Sequence, residues 1–456
     1  MRIGIRIALG SALAVVLVLP FALRPRPAAS TAEPDARLPA RKLILISPHW
    51  EGIRVEFGRA FSKWTARRHG YRTELEWLDV GGTSDAIRYV KSEFTRSPAG
   101  IRIDLFFGGG VDPFMRLADA ALLDAVELPE GILDRIPHSF AGIEVYDAQR
   151  RWFGAALSGF GILYNRRVCR RLGIPFPQTW MDLAKPAYFT WVGSGDPRSS
   201  GSVHMAYEII LQAYGWEEGW AVLAGMCGNT RSFSRSASQV PKDTAMGEVA
   251  CGMVIDVYAW RQVAEVGADR MGFVLPRGAT VINPDGIAVL KGAPDRDLAA
   301  EFISFVLSET GQKLWCLKPG DPEGPERFEL DRMPVIPGLT ARLGDRAAVS
   351  YDPYRWEGGF TYDAAKGALR WSLLNDLVGA VLIDTHRELV SAWRVVKHLP
   401  ADAAARRAFV CPPLSEEEAA VLAATRWDDP AFRARTRARW ANQARMRYQR
   451  IATEGS

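Results

Sequence analysis

Residues 195–215 of the 456-residue chain read GDPRSSGSVHMAYEIILQAYG, and the interpretation of the whole sequence depends on this stretch. Its second half predicts a helix, because apolar residues recur from Val203 to Tyr214 at the spacing of one helical face. Its first half places Arg198 and three serines at the helix N-terminus, where unbonded backbone N–H groups and the positive dipole end attract anions. Serines also cap helices, so a cap and an anion-binding loop are both open interpretations.

The N-terminus has the pattern of a targeting segment. Arg2 and Arg6 precede an uncharged, mostly apolar run over 7–23, and residues 30–32 form a small-x-Ala cleavage pattern. We therefore assign residues 1–40 to a signal peptide and linker. An uncleaved membrane anchor is the alternative, because the run is long for a signal peptide and short for a span. Either way, the body of the protein is expected in the periplasm or another extracytoplasmic space, released or tethered.

The composition indicates an ordinary globular protein of two or three domains, since 48% of the residues are hydrophobic and 24% are charged. The net charge of +5 falls to about +1 once residues 1–32, with four arginines and no acid, are removed. We therefore expect no nucleic acid among the partners. The five cysteines form no CxxC motif. Export permits disulfides, and Cys227 with Cys251 is the pair we favour.

The first 120 residues alternate between strand and helix patterns. A continuous apolar run over 42–47 predicts a buried parallel strand, and helix and strand patterns then alternate as far as residue 122. Ligands on such sheets sit beyond the carboxyl ends of the strands. The segments 47–51 and 108–112 lie at those ends.

A second α/β unit follows over 153–272, and strands and an amphipathic helix over 297–317 complete the α/β part. A strand is predicted at 188–192. From about 340 onward the pattern is helical, and the last predicted helix, which begins at Asp429-Pro430, is rich in arginine. Its basic face is expected to be solvated, with a membrane surface or a partner as the alternative.

Local motifs do not point to an enzyme. The chain has no GxSxG elbow and no P-loop, Gly108-Gly109-Gly110 is not GxGxxG, and the six histidines form no HxxxH pair. A Ser/His/Glu constellation assembled in space is still open, so a hydrolase using the same site is one alternative. We predict a protein without catalytic activity.

Polar side chains at loop positions of the two α/β units are the candidate site. If the units face each other, these groups converge on one cleft, and domain interfaces are a preferred location for small-ligand sites. The candidate ligand-binding residues are Ser47, His49, Glu51, Gly109, Ser158, Arg198, Ser199, Ser200, Ser236, Asp256 and Tyr258.

Three stretches carry a resemblance to a known family. Residues 196–202 with their helix, the run 230–236 and the stretch 247–256 look like the second lobe of extracellular solute-binding proteins of ABC importers. The return stretch 283–294, followed by its helix, resembles that family's return into lobe one. The similarity is to the ferric-iron, thiamine, polyamine and sugar-phosphate group, and it covers roughly residues 41–340.

The resemblance implies an α/β fold of the type II periplasmic-binding-protein class, with two lobes that close like a clamshell. It implies lobe one over 41–152 and 273–340, lobe two over 153–272, and a helical extension over 341–456 that we expect to pack on lobe one. Hinges are placed near 155–158 and 276–283. The implied partners are a small-molecule solute and an ABC permease in the membrane. We expect a monomer without a cofactor.

The ligand is predicted to be a small anionic organic solute with a phosphate or carboxylate group. Backbone amides at residues 200–202, with Arg198 nearby, suffice to bind such a group. Ferric-binding members use adjacent tyrosines together with a His and a Glu, whereas this chain has one tyrosine at the corresponding strand end. Ferric iron or another metal is therefore the alternative ligand, and its candidate set is His49, Glu51, Asp256 and Tyr258.

Overall fold

The structure is a computed structural model that describes residues 37–140, 142–349, 351–355 and 359–454. The proposed signal peptide or anchor falls mainly on residues 1–36, outside the described residues. Within the described ranges, no helix combines the length and the apolar character needed to cross a bilayer.

The first α/β unit is a parallel sheet flanked by helices, as the alternating pattern predicts. Strand β1 pairs in parallel with β2 on one side and with β3 on the other. Helix α1 ends at Gly70, which adopts the left-handed conformation (φ 71°) that favours glycine. The elements of this unit are β1 (Ala40–Ile46), α1 (Glu51–His69), β2 (Arg72–Leu78), α2 (Thr83–Arg96), β3 (Leu105–Phe107), α3 (Val111–Asp119), β4 (Leu123–Asp124), β5 (Ser139–Phe140) and β6 (Ile143–Glu144).

The second unit surrounds the stretch that opened the sequence analysis. The helix predicted there is observed, beginning at Gly201 and ending before Gly215. The strand predicted at 188–192 lies further on, at β8, because Pro186–Tyr188 forms a 3₁₀ turn. The elements are β7 (Phe153–Asn165), α4 (Arg166–Leu172), β8 (Val192–Gly195), α5 (Gly201–Tyr214), α6 (Trp216–Asn229), β9 (Thr230–Ser234), α7 (Gln239–Met246), β10 (Cys251–Ile255), α8 (Asp256–Val266) and β11 (Met271–Val274).

Two buried antiparallel strands join the units. Strand β12 (Ile282–Leu290) pairs with β3 and with the first half of β7, and β7 then pairs with β10 from Phe160 to Tyr164. The strand order is β2-β1-β3-β12-β7-β10-β8-β9. Because β7 changes partner near Gly159, the predicted hinge at 155–158 lies beside this crossover. The hinge itself stays a prediction.

The helix expected over 297–317 is two helices, α9 (Arg296–Leu307) and α10 (Glu309–Cys316). They are separated by Ser308, whose extended backbone (ψ 159°) ends α9 and whose hydroxyl caps α10 by accepting from the Gly311 N–H. The helical extension follows as α11 (Leu339–Leu343), α12 (Ala364–Val378), a π-helical turn (Gly379–Ile383), α13 (His386–Val396), α14 (Ala404–Val410), α15 (Glu416–Thr425) and α16 (Pro430–Glu454).

The prediction that this extension packs on lobe one is wrong for most of its helices. Their apolar faces continue the core of the second unit, where Leu377 and Trp393 join the buried cluster of Trp220. Trp393 also donates to the Asn229 side chain at 2.6 Å. The physical reason is that α5 and α6 have apolar residues on more faces than their own sheet covers, and the extension buries the remainder.

The disulfide expected between Cys227 and Cys251 does not form. Both thiols are buried and unpaired, and Cys227 instead contacts the hydroxyl of Tyr207 at 3.6 Å. Burial raises the pKa of Cys227 to about 12.

A buried ion pair ties the extension to the second unit. Arg370 of α12 donates to Glu208 of α5 at 2.7 Å, and both side chains are at most 2% exposed. Arg370→Met is expected to lower the free energy of unfolding by about 3–5 kcal/mol, because it leaves a buried carboxylate unpaired. Urea unfolding measures this loss.

The double variant Glu208→Leu/Arg370→Met should recover most of the loss, since it removes both buried charges. Arg231→Ala is the control, because its pair with Glu248 is half exposed and should contribute less than about 1 kcal/mol. Equal losses in the control and in Arg370→Met would contradict the assignment.

Candidate functional site

A cleft of about 560 Å³ lies between the two units, at the carboxyl ends of the strands, as the parallel pattern predicts. Seven candidate residues line it: His49, Glu51, Gly109, Ser199, Ser200, Ser236 and Tyr258. The lining segments are 48–51, 81–83, 109–110, 199–202 and 235–238, joined by Arg54, Asp79, Asp85, Phe160, Met205, Ile255, Tyr258, Asp285 and Arg332.

Helix N-termini from both units point into this cleft. Helices α1 and α2 begin there without a side-chain cap, and α5 begins there at Gly201. The backbone N–H groups of Thr83, Gly201 and Ser202 have no protein acceptor in the described part of the chain. Unbonded amides at the positive ends of helix dipoles are an anion-binding arrangement.

The N-termini of α2 and α5 are in contact across the cleft. The Ser84 hydroxyl donates to the Pro197 carbonyl at 3.2 Å, and Arg88 donates to the Arg198 carbonyl at 2.9 Å. A Cβ atom added to Gly82 would lie 1.9 Å from the Ser199 carbonyl oxygen. The structure therefore shows the two units closed on each other, and this approach requires glycine at position 82.

Ser199 and Ser200 stabilise the loop in addition to lining the cleft. The Ser200 hydroxyl accepts from the Val203 N–H, so Ser200 is the cap of α5. The Ser199 hydroxyl donates to the Arg235 carbonyl at 2.9 Å and fixes the neighbouring loop. The helix-cap interpretation therefore applies to the Ser200 hydroxyl. The anion-binding interpretation applies to the Gly201 and Ser202 amides, which face the cleft.

Four candidate residues do not line the cleft. The Arg198 side chain points away from it and pairs with Asp196 at 2.7 Å and with Asp384 of the extension at 2.8 Å. The physical reason is that both carboxylates lie outside the cleft and bind the whole guanidinium. Ser47, Ser158 and Asp256 are buried behind the wall.

Arg235 occupies the position that we expected Arg198 to fill. It lines the cleft mouth, its side chain is exposed, and no described carboxylate pairs with it. The only signal in the sequence was its place in the run 230–236, which we noted without singling out the arginine.

A buried hydrogen-bond network of His49, Asp285 and Arg332 lies at the base of the cleft. Sequence reasoning did not identify this network. His49 Nε2 lies 2.7 Å from Asp285, and Arg332 donates to the same carboxylate at 2.5 Å. Burial alone would raise the pKa of Asp285, but Arg332 and His49 together hold that pKa below its ordinary range. Burial lowers the pKa of His49, and the Asp285 carboxylate opposes part of that shift. The available signal was an aspartate inside the buried return strand β12.

The four residues of the metal alternative are not assembled as a metal site. His49 is bonded to Asp285, and Asp256 accepts from the Gly159 N–H at 2.7 Å. In the described ranges, no three His, Cys, Asp or Glu side chains are placed to hold a metal ion together.

Comparisons with known proteins agree with this geometry. Residues 103–328 match the family model described as bacterial extracellular solute-binding protein. Over these residues the chain is similar to that family. The phosphoglycerate transport regulatory protein PgtC of Salmonella typhimurium is 29% identical over 231 residues, which are 49% of this chain and 55% of that protein. The chain therefore spans little more than half the length of this curated relative.

Solved structures of periplasmic binding proteins share the fold. The periplasmic binding protein AfuA from Actinobacillus pleuropneumoniae, with fructose-6-phosphate bound, superposes with a TM-score of 0.60 at 18% identity, over 79% of this chain and 99% of that one. Iron-bound HitA from Pseudomonas aeruginosa gives 0.55 at 20% identity, over 74% and 99%. The predicted type II periplasmic-binding-protein fold with a helical extension is thus confirmed.

The close approach at Gly82 leads to a prediction about closure. Gly82→Ala should prevent the observed contact, because the added methyl group would overlap the Ser199 carbonyl oxygen of the facing unit. The Gly82 φ of −75° suits alanine, so the free energy of unfolding should change by less than about 1 kcal/mol. Small-angle X-ray scattering should give a larger radius of gyration than for the parent protein.

Gly58→Ala is the matched control, since its added methyl group would meet only a Leu75 side chain at 3.9 Å. An unchanged radius of gyration in Gly82→Ala would show that the contact is not a closure contact.

The buried carboxyl of Asp256 leads to a prediction about pH. Burial raises its pKa from 3.8 to about 7, and the Gly159 N–H offsets only part of this rise. Between about pH 4 and pH 7 the native state keeps a proton that the unfolded state loses. This group therefore lowers the free energy of unfolding as pH rises, by about 1.4 kcal/mol per unit and about 4 kcal/mol in total.

Asp256→Asn removes that titration. Urea unfolding of both proteins from pH 4.5 to 7.5 should show the variant gaining stability relative to the parent as pH rises. Parallel profiles would contradict the raised pKa.

Proposed function

We propose that the protein captures a small anionic organic solute, with a phosphate or carboxylate group, between its two lobes and delivers it to an ABC permease. The observation that carries the proposal is the meeting of the α2 and α5 N-termini with unbonded amides on both sides of one cleft. An anion between them satisfies those amides and interacts favourably with both dipoles.

The charged side chains on the two walls of the cleft are expected to bind different parts of the solute. Arg235 lines the same cleft as Gly201 and Ser202 and has no carboxylate partner among the described residues. On the opposite wall, Glu51 and Asp79 line the cleft, and Asp79 is paired there with Arg54 at 3.0 Å. The proposed solute thus places its anionic group against lobe two and presents hydroxyl or amine donors to these carboxylates.

The match to this family model supports transport as the role. Members are extracellular solute-binding proteins, which implies an extracytoplasmic location. Two similar proteins are a phosphoglycerate transport regulatory protein and a periplasmic binding protein with fructose-6-phosphate bound. These two compounds are therefore the first probes. We propose binding without turnover, with the lobes as assigned from the sequence, apart from the extension.

Thermal and chemical unfolding with phosphoglycerate, fructose-6-phosphate, fructose and Fe(III) separates the alternatives. A phosphorylated ligand at 100 times its dissociation constant should stabilise the protein by about 2.7 kcal/mol. Its unphosphorylated counterpart should not. Stabilisation by Fe(III) alone, or hydrolysis of a phosphate ester by the purified protein, would overturn the proposal.

Arg235→Ala is expected to weaken binding of the stabilising phosphorylated compound by about 10-fold to 100-fold, because a charge-assisted hydrogen bond contributes about 1.5–3 kcal/mol. Isothermal titration calorimetry measures the change. Arg231→Ala is the matched control on the adjoining strand β9, since Arg231 is outside the cleft and pairs with Glu248. Equal affinities for the two variants would exclude Arg235 from the site.

A further inference from the structure

Helix α12 of the extension contacts both lobes beside the cleft. On the lobe-two side, Arg370 pairs with Glu208 of α5 in a fully buried position, and Asn375 bonds His204 Nδ1 at 2.7 Å. On the lobe-one side, the Ser372 hydroxyl accepts from Arg116 of α3 at 2.8 Å. The family resemblance ends at about residue 340, so these contacts belong to the part of the chain that follows it.

The segment leading into α12 makes a second contact with α3. The Tyr362 hydroxyl donates to Asp112 Oδ2 at 3.1 Å, and both side chains are buried. Tyr362 and Trp371 join the apolar cluster that contains Phe114 of α3 and Met205 of α5. The extension thus fills the angle between one helix of each lobe.

Both of these helices begin at the cleft. Helix α3 starts directly after Gly109 and Gly110, and α5 starts at Gly201, and all three glycines line the cavity. Because helix α12 contacts α3 and α5 at the same time, it sets the distance between their N-termini.

The two attachments differ in kind. The contact with α5 includes a buried ion pair, which is costly to separate. The contact with α3 consists of two hydrogen bonds, one of them between the buried Tyr362 and Asp112 side chains, and of apolar contacts at Trp371. Leu373, Leu374, Leu377 and Val378 of α12 belong instead to the apolar core of the second unit. Because α12 contributes to that core as well as to the buried ion pair, we expect it to move with lobe two, and its seam with α3 is the one that opens when the lobes separate.

We propose that α12 is an interlobe brace: it moves with lobe two, and its seam with α3, through Tyr362 and Ser372, holds the closed arrangement and positions the cleft-facing N-terminus of α3. Tyr362 and Ser372 are positioning residues in this proposal. Its effect on affinity rests on the proposed function, whereas its effect on the distance between the lobes does not.

Electron–electron resonance distances test the brace without any solute. Spin labels are placed at Ser92→Cys on α2 and Lys242→Cys on α7, both exposed, in a Cys411→Ser background whose remaining cysteines are buried. The double variant Tyr362→Phe/Ser372→Ala should shift the distance distribution to longer and broader values. Ser391→Ala is the control, because its hydroxyl bonds only within its own helix.

Ser372→Ala alone is the second variant, in case the double variant does not fold, and should give a smaller shift in the same direction. An unchanged distribution in folded brace variants would overturn the proposal.

Calorimetry with phosphoglycerate should show binding about 2-fold to 10-fold weaker in the brace variants than in Ser391→Ala. A longer distance with no phosphoglycerate binding in the parent protein would contradict the proposed function and support the brace.

Discussion

The closed structure depends on the contact between the N-termini of α2 and α5, which bring like-signed dipole ends together across the cleft. Such a contact is electrostatically unfavourable while the amides of Thr83, Gly201 and Ser202 lack an acceptor. An anion between the two helices reverses the sign of the interaction. Closure and anion binding are therefore one event in this account, and the absence of a side chain at Gly82 permits the approach.

The surrounding elements keep these two N-termini in place. The Asp285 carboxylate accepts from the Gly109 amide and pairs with His49 and Arg332, so one buried charge organises the lobe-one wall. In the second lobe, the Ser200 cap and the bond from Ser199 to the Arg235 carbonyl hold the loop. The extension adds a buried ion pair on α5 and hydrogen bonds on α3.

Local sequence patterns predicted most of the α/β fold and seven of the residues that line the cleft. The α5 helix, its cap and the cleft at the strand ends follow from apolar spacing and from the geometry of parallel sheets. Arg198, Asp285 and the packing of the extension required three-dimensional information, because each depends on partners far away in sequence. Arg198 and Arg235 sit in similar loop contexts. The positions of Asp196 and Asp384 assign Arg198 to a structural role, whereas Arg235 lines the cleft.

The central claim is that amides from both lobes bind one anionic group. Its most direct test is a nitrogen–proton correlation spectrum of protein labelled selectively at glycine, serine and threonine, titrated with phosphoglycerate. The account predicts that Thr83, Gly201 and Ser202 shift together along one binding curve, with large downfield amide proton changes. Shifts confined to one lobe, or absent from these three amides in a saturated complex, would contradict it.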